Sequence, residues 1–113
     1  HPEALRGHAE IAAFFGPVAK HLRVWPEEYF VSDTGIALTW MAYICIDNDH
    51  HGAENRGRWL CGEGMSRLEF RDGKVCLEID YWKGPQGMCD DATRHFEARR
   101  KLSRAELGAT PGA

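Results

Sequence analysis

An Asp-Gly dipeptide between two strand-like segments constrains the fold of this chain more than any other feature. Asp72 and Gly73 readily take the positive φ angles of a tight hairpin turn, and they separate residues 58–70 from residues 74–82. The second segment alternates apolar side chains at every other position, as a strand does. The sequence therefore predicts an antiparallel hairpin whose second strand ends at Trp82.

This second strand carries two carboxylates and a tryptophan on one face. Residues two apart on a strand point to the same side, so Glu78, Asp80 and Trp82 project together. In an apolar pocket a carboxyl group takes a raised pKa and becomes usable as a general acid or base near neutral pH. The alternative is a solvent-facing position, which the more apolar opposite face of the strand favours on its own.

The remaining elements predict an α+β fold, with helices packed on one side of a curved antiparallel sheet. They are a helix at residues 8–23 with a kink, or a division into two short helices, at Gly16-Pro17, a short strand at 29–31, a long strand at 36–46, and a helix at about 91–107 capped by Asp90 or Asp91. Both faces of the long strand are mostly apolar, so we expect it to be covered on both sides. We expect residues 1–107 to form one domain and residues 108–113 to be a frayed tail.

Composition excludes several functional classes. The 113 residues suffice for a single core, and the net charge of −3 with scattered basic residues lacks the footprint of a nucleic-acid-binding protein. No apolar run approaches the roughly 20 residues that span a bilayer. The four cysteines form no CxxC pair, which argues against a zinc ribbon or thioredoxin-like motif and indicates reduced thiols in a cytoplasmic protein.

Two polar clusters are interpreted as exposed to solvent. Asp47, Asp49, His50 and His51 lie on a turn, where adjacent side chains point apart, so we interpret them as a solvated turn and expect no metal site. The run from Arg94 to Arg104 is interpreted as the solvated face of a helix.

Three segments resemble the nuclear transport factor 2-like superfamily, specifically its SnoaL-like polyketide cyclases, ketosteroid isomerases and limonene epoxide hydrolases. They are a glycine-led helix at residues 5–15, an F-x-x-G-K-I-like hairpin at 70–75, and a D-Y-W/F-like closing strand at 79–82. The resemblance covers roughly residues 1–83. It implies a cone-shaped, cystatin-like, strongly curved antiparallel sheet wrapped by helices around a deep apolar pocket. The family's first helix and strand have no counterpart in this sequence, so we expect either that the sequence is a fragment or that the helix around residues 92–102 covers the cone instead.

The resemblance also implies a set of site residues. Asp80 matches an aspartate that serves proton transfer or water activation. The residues implied to line the pocket are Met41, Tyr43, Gly62, Gly64, Ser66, Glu78 and Trp82, with Tyr43 orienting the ligand and the two glycines enlarging the cavity. The sequence departs from these relatives at three positions. Met41 and Tyr43 stand where the epoxide hydrolases have an arginine and a second aspartate. Ser66 stands where the isomerases have the carboxylic acid of their oxyanion hole.

These observations predict a domain that binds a small hydrophobic molecule. Asp80 would act as general acid or base in an isomerase-, cyclase- or hydrolase-like reaction that needs no metal or organic cofactor. The alternative is a non-catalytic binding or dimerisation module of the same fold. A homodimer through the convex sheet face is expected, with Trp40, Ile44, Trp59, Leu77 and Ile79 as candidate contact residues.

Overall fold

The computed structural model describes residues 5–82 and 84–102. Its elements, in chain order, are α1 (Gly7–Ala19), β1 (Leu22–Val31), β2 (Gly35–Cys45), a short 3-10 helix (Ala53–Asn55), β3 (Trp59–Arg71), β4 (Lys74–Trp82), β5 (Gly87–Cys89) and α2 (Ala92–Arg100). The predicted α+β fold with a curved antiparallel sheet is confirmed. The predicted tail at 108–113 and the end of the last predicted helix lie outside the described residues.

The strands are antiparallel and follow the order β1-β2-β3-β4. Along one edge of β3, β4 pairs with residues 64–71 and the short β5 pairs with residues 59–61. The sequence analysis did not predict β5. Within the described residues, no helix is long and apolar enough to cross a membrane.

The hairpin between β3 and β4 forms as predicted. Asp72 has φ 54° and Gly73 has φ 76°, the left-handed conformation that this dipeptide accepts readily. Strand β4 spans residues 74–82, the predicted limits.

The N-terminal third differs from the prediction in two places. Helix α1 is a single helix that contains Pro17 and ends at Ala19, so it is not divided into two short helices and does not extend to residue 23. Strand β1 then starts at Leu22 and is far longer than the short strand expected at 29–31. A proline is tolerated inside it because β1 is an edge strand and its register with β2 shifts between Pro26 and Glu28.

Strand register assigns the side chains to two faces, since directly opposed residues share a face. One row across the sheet contains Trp25, Met41 and Glu63, and the next row contains Trp40, Gly64 and Trp82. We call the side with Met41 the helix face, because α2 packs on it, and the side with Trp40 the tryptophan face.

The hydrophobic core lies on the helix face. Met41 and Tyr43 are fully buried there and pack with Cys61 and with Phe96 of α2. The ring of Trp25 stacks on Phe96 with centroids 5.0 Å apart. Helix α2 is thereby fixed against β1, β2 and β3.

Candidate functional site

The structure divides the predicted site residues between the two faces. Ser66 on β3 lies opposite Leu38 on β2 and Asp80 on β4, so even-numbered β2 residues share the face of Asp80. The residues that share this tryptophan face are Gly62, Gly64, Ser66, Glu78, Asp80 and Trp82. Met41 and Tyr43 are odd-numbered and lie on the helix face. The expectation that they face one pocket together with Asp80 is therefore wrong.

A hydrogen-bond chain crosses three strands on the tryptophan face. The indole Nε1 of Trp40 donates to Ser66 Oγ at 2.8 Å. Ser66 Oγ in turn donates to Asp80 Oδ1 at 2.5 Å. Only 6% of Ser66 and 8% of Trp40 is exposed, so two buried side chains hold the Asp80 carboxyl group in position.

Glu78 and Asp80 form a carboxyl pair. Both residues are exposed at the surface of β4. Partial burial of the Glu78 carboxyl group nevertheless raises its pKa to about 7. A hydrogen bond to Asp80 and the charge of Asp80 contribute to the same shift. A carboxyl group with a raised pKa next to a second carboxyl group on the same strand face is a common arrangement for acid–base chemistry.

The two tryptophans of this face rest on the glycines of β3. The ring of Trp40 occupies the space above Gly64, and a Cβ on Gly62 would lie 2.9 Å from Nε1 of Trp82. The two indoles meet edge to face, with centroids 6.0 Å apart. The glycines thus make room for aromatic rings of the protein itself, and the expectation that they enlarge a cavity was wrong. Trp82 as a residue remains 39% exposed and is accessible to a ligand.

Two clefts lie elsewhere on the surface. One, of about 640 Å³, is at the end of the sheet near the β1–β2 turn, and the other, of about 710 Å³, lies beside α2. Asp80 lines neither of them. Glu78 and Asp80 are exposed on the tryptophan face, outside these two clefts.

An ion cluster on the helix face was missed by the sequence analysis. Arg99 of α2 is only 6% exposed and bonds both carboxylate oxygens of Glu27 and, at 2.6 Å, Oε2 of Glu63. Burial alone would lower the Arg99 pKa, but these two carboxylates raise it above its ordinary value. The assignment of this arginine to a solvated helix face was wrong. The spacing of Ala92, Phe96 and Arg99 along one helical stripe was the signal that could have revealed it.

The hydroxyl of Tyr43 also forms a hydrogen bond on the helix face. It lies 2.8 Å from Nδ1 of His95 on α2. Burial raises the pKa of Tyr43. Burial also lowers the pKa of His95, and the nearby charge of Arg99 lowers it further. A protonated tyrosine therefore faces a neutral imidazole at neutral pH and can donate to it. This bond anchors α2 and leaves Tyr43 turned away from the carboxyl pair.

The candidate dimer residues do not form one surface. Register places Trp40 and Ile44 on the tryptophan face but Trp59, Leu77 and Ile79 on the helix face. Trp40 is buried, whereas Leu77 is exposed. The expectation that these five residues make up a single convex contact face was wrong, because even-numbered residues of β2, β3 and β4 lie on one face and odd-numbered residues lie on the other.

The polar turn after β2 is held by ion pairs. Asp49 contacts the guanidinium of Arg56, and Asp47 lies 3.5 Å from the His21 imidazole. Among the described residues, no group of three His, Cys, Asp or Glu side chains is arranged to hold a metal ion. All four cysteines are free thiols.

Comparisons with known proteins agree with this architecture. The family model of the SnoaL-like domain matches residues 1–78. An NTF2-like protein of unknown function from Burkholderia pseudomallei K96243 is 19% identical, with a TM-score of 0.55, over 72% of this chain and 58% of the other. TerC co-crystallised with polyporic acid is 18% identical, with a TM-score of 0.51, over 80% of this chain and 60% of TerC.

A third similar structure is AclR, a candidate hydroxylase from Streptomyces galilaeus. It is 17% identical, with a TM-score of 0.55, over 94% of this chain and 70% of AclR. No curated protein sequence matches the chain. The chain spans 58–60% of the length of the first two structures, and at these identities the likeness establishes the fold.

Proposed function

Because the chain belongs to the family of SnoaL-like domains in the NTF2-like superfamily, we propose that it binds a small, ring-containing hydrophobic molecule on the tryptophan face. Asp80 acts there as the general acid or base of a proton-transfer reaction. The observation that carries this proposal is the Glu78–Asp80 carboxyl pair beside the exposed ring of Trp82. Met41 and Tyr43, which point to the other face, have no part in it.

Trp82 supplies the binding surface. Its indole is held edge to face against Trp40, so a ligand ring stacks on a surface whose orientation is already fixed. An aromatic pair of this kind contributes about 0.5–1.5 kcal/mol beyond the burial of its area. The co-crystal of TerC with polyporic acid supports small-molecule binding by this fold.

The chemistry we propose is proton transfer next to a carbonyl group. Ser66 donates a hydrogen bond to Asp80 and so holds the carboxyl group in place. An ionised carboxylate within reach of a bound ring can remove a proton from the carbon beside a carbonyl and return it at another position. Isomerisation and ring closure both begin with this step, and it needs only a positioned carboxylate.

Isotope exchange tests the proposal. A panel of apolar cyclic ketones is incubated with the protein in D₂O, and deuterium at the carbon beside the carbonyl is measured by mass spectrometry. We expect exchange with the parent protein, its loss in Asp80→Asn with binding retained within about twofold, and no change in Glu97→Gln, an exposed carboxylate on α2. If no ketone binds or exchanges, the proposed function is wrong.

The second candidate is a non-catalytic binding or dimerisation module, and one observation favours it. The helix face of β3 and β4 exposes Met65, Leu77 and Tyr81 beyond the region that α2 packs on. We propose that a second copy of the chain covers this surface as a homodimer. Light scattering of the parent and of Leu77→Glu measures it, with a dimer expected for the parent and a monomer for the variant. A dimer that shows no exchange activity in either protein would favour the module.

We also propose a cytoplasmic location. Four free thiols with no disulfide fit a reducing compartment. Fractionation of cells that express the full-length protein would test this.

A further inference from the structure

A cleft of about 710 Å³ lies on the helix face beside α2. Its lining includes Trp25 and Glu27 of β1, Phe96 and Arg99 of α2, and Glu63 of β3. A volume of this size is within the range of pockets that hold small molecules. The cleft lies on the side of the sheet opposite the tryptophan face, so the proposed function makes no use of it.

The buried arginine of this cleft already has two anionic partners. Arg99 is 6% exposed, and its Nε and one terminal nitrogen donate to the carboxylate of Glu27. The same terminal nitrogen donates to Oε2 of Glu63 at 2.6 Å. An anionic ligand would have to displace one of these carboxylates from Arg99. The cleft therefore does not favour an anion.

The charged residues of the cleft leave an excess of negative charge. Its lining contains three glutamates and two arginines, which leaves one negative charge unbalanced; they are Glu27, Glu28, Glu63, Arg99 and Arg100. The side chain of Glu63 is 47% exposed and can be reached by a ligand. Its Oε2 bonds Arg99, and its Oε1 accepts no hydrogen bond from the described part of the chain. A positively charged donor is the complement of this oxygen.

Aromatic rings line the same cleft. Trp25 is half-buried and stacks on Phe96 with centroids 5.0 Å apart. The guanidinium of Arg100 already lies over Phe96, 5.9 Å from the ring centroid. The face of an aromatic ring attracts cations, and an indole does so most strongly. The aromatic part of the lining therefore suits an apolar group that is attached to a positive charge.

We infer that this cleft is a binding site for an organic ammonium ion that carries an aromatic or other apolar ring. The ammonium group donates to Oε1 of Glu63, and the ring packs against Trp25. A neutral ring would leave Glu63 without a donor, and a carboxylate would meet the excess of negative charge. This site does not depend on the proposed function, because it lies on the other face of the sheet and takes a different class of ligand.

Three probes of similar shape test the charge preference of the cleft. 2-Phenylethylamine is a cation at neutral pH, 2-phenylethanol is its neutral analogue, and 3-phenylpropionate is an anionic analogue. Binding is followed through the indole N–H signals in ¹⁵N NMR. We expect the amine to shift the Trp25 signal saturably and to bind at least about tenfold more tightly than the alcohol. The anion should cause no saturable shift.

Two variants locate the amine within the cleft. Glu63→Gln keeps the shape of the side chain and leaves Glu27 to pair with Arg99, so the protein should stay folded. It should weaken binding of the amine by at least about tenfold. Glu97→Gln, an exposed carboxylate on α2, is the matched control and should bind the amine as the parent does. The comparison of amine and alcohol uses the parent alone, so it decides the question even if Glu63→Gln fails to fold.

Equal affinities of the amine and the alcohol, or no saturable binding of the amine, would overturn the inference. A saturable shift of Trp82 in place of Trp25, weakened by Asp80→Asn and not by Glu63→Gln, would also overturn it, because the amine would then pair with the carboxyl groups of the tryptophan face. The ketone exchange assay is a separate readout. Amine binding without ketone exchange supports this site and contradicts the proposed function, and ketone exchange without amine binding does the reverse.

Discussion

Trp40 and Asp80 lie on strands that do not pair with each other, yet the indole of one fixes the carboxylate of the other. Ser66, on the strand between them, accepts from Trp40 at 2.8 Å and donates to Asp80 at 2.5 Å. The position of the Asp80 carboxyl group thus depends on a side chain two strands away. This relationship makes the tryptophan face an organised site, although its two carboxyl groups are exposed.

Removing the indole donor should weaken this organisation. In Trp40→Phe the Ser66 hydroxyl loses its donor, and we expect unfolding free energy to fall by about 1–3 kcal/mol from the lost hydrogen bond and the altered packing over Gly64. The Asp80 signal in carboxyl NMR should also move. Trp59→Phe, on the helix face, is the control and should leave the Asp80 signal in place. An unchanged Asp80 signal in Trp40→Phe would contradict the relay.

Gly64 should tolerate no side chain. A Cβ there would overlap the ring of Trp40, so Gly64→Ala should destabilise the protein by about 1–3 kcal/mol through overpacking. Gly16→Ala in α1 meets no atom within 4 Å and should be neutral or stabilise by about 0.5–1 kcal/mol. Urea unfolding of both variants measures the difference, and equal midpoints would show that the tight contact is absent.

The raised Glu78 pKa predicts a specific pH dependence of stability. The carboxyl binds its proton more tightly in the folded state, with a pKa of about 7 against an ordinary value of 4.5. Its contribution is therefore fully present below about pH 4.5 and is lost as the pH rises through 7. Stability measured between these limits should fall less steeply with pH in Glu78→Gln than in the parent. Glu97→Gln should keep the parent slope, and identical slopes in all three proteins would refute the shift.

The buried ion cluster predicts a large cost for losing one partner. Arg99→Ala leaves Glu27 unpaired at a largely buried position, so we expect a loss of about 3–5 kcal/mol of unfolding free energy. The double variant Arg99→Met/Glu27→Gln should recover part of it, because no charge is then stranded. Arg94→Ala, at an exposed position on the same helix, should change stability by less than about 0.5 kcal/mol. Thermal unfolding of the four proteins gives the comparison.

Local signals in the sequence were sufficient for the β3–β4 hairpin, because Asp72-Gly73 specifies a tight turn wherever it lies between strands. They were also sufficient to place Glu78, Asp80 and Trp82 on one face, since the period of a strand is two. The family resemblance correctly identified the α+β fold with a curved antiparallel sheet.

Nonlocal features were not accessible in this way. Whether odd- or even-numbered residues of β2 share a face with Asp80 depends on the register of β2 and of β4 with β3. The polar turn between β2 and β3 does not specify this register, and Met41 and Tyr43 were therefore assigned to the wrong face. The bulge after Pro26 turns Glu27 towards Arg99, and neither residue shows this partnership by its neighbours in the sequence. The space above the glycines was misjudged because the rings that fill it come from other strands.

The most direct test of the central claim is a ligand titration that resolves the four indole N–H signals by ¹⁵N NMR. Trp40 and Trp82 lie on the tryptophan face, whereas Trp25 and Trp59 pack against the core of the helix face. With an apolar cyclic ketone, we expect saturable shifts of the Trp82 and Trp40 signals and stationary signals for Trp25 and Trp59. Saturable shifts confined to Trp25 and Trp59 would contradict it, because the ligand would then occupy the side of the sheet opposite the carboxyl pair.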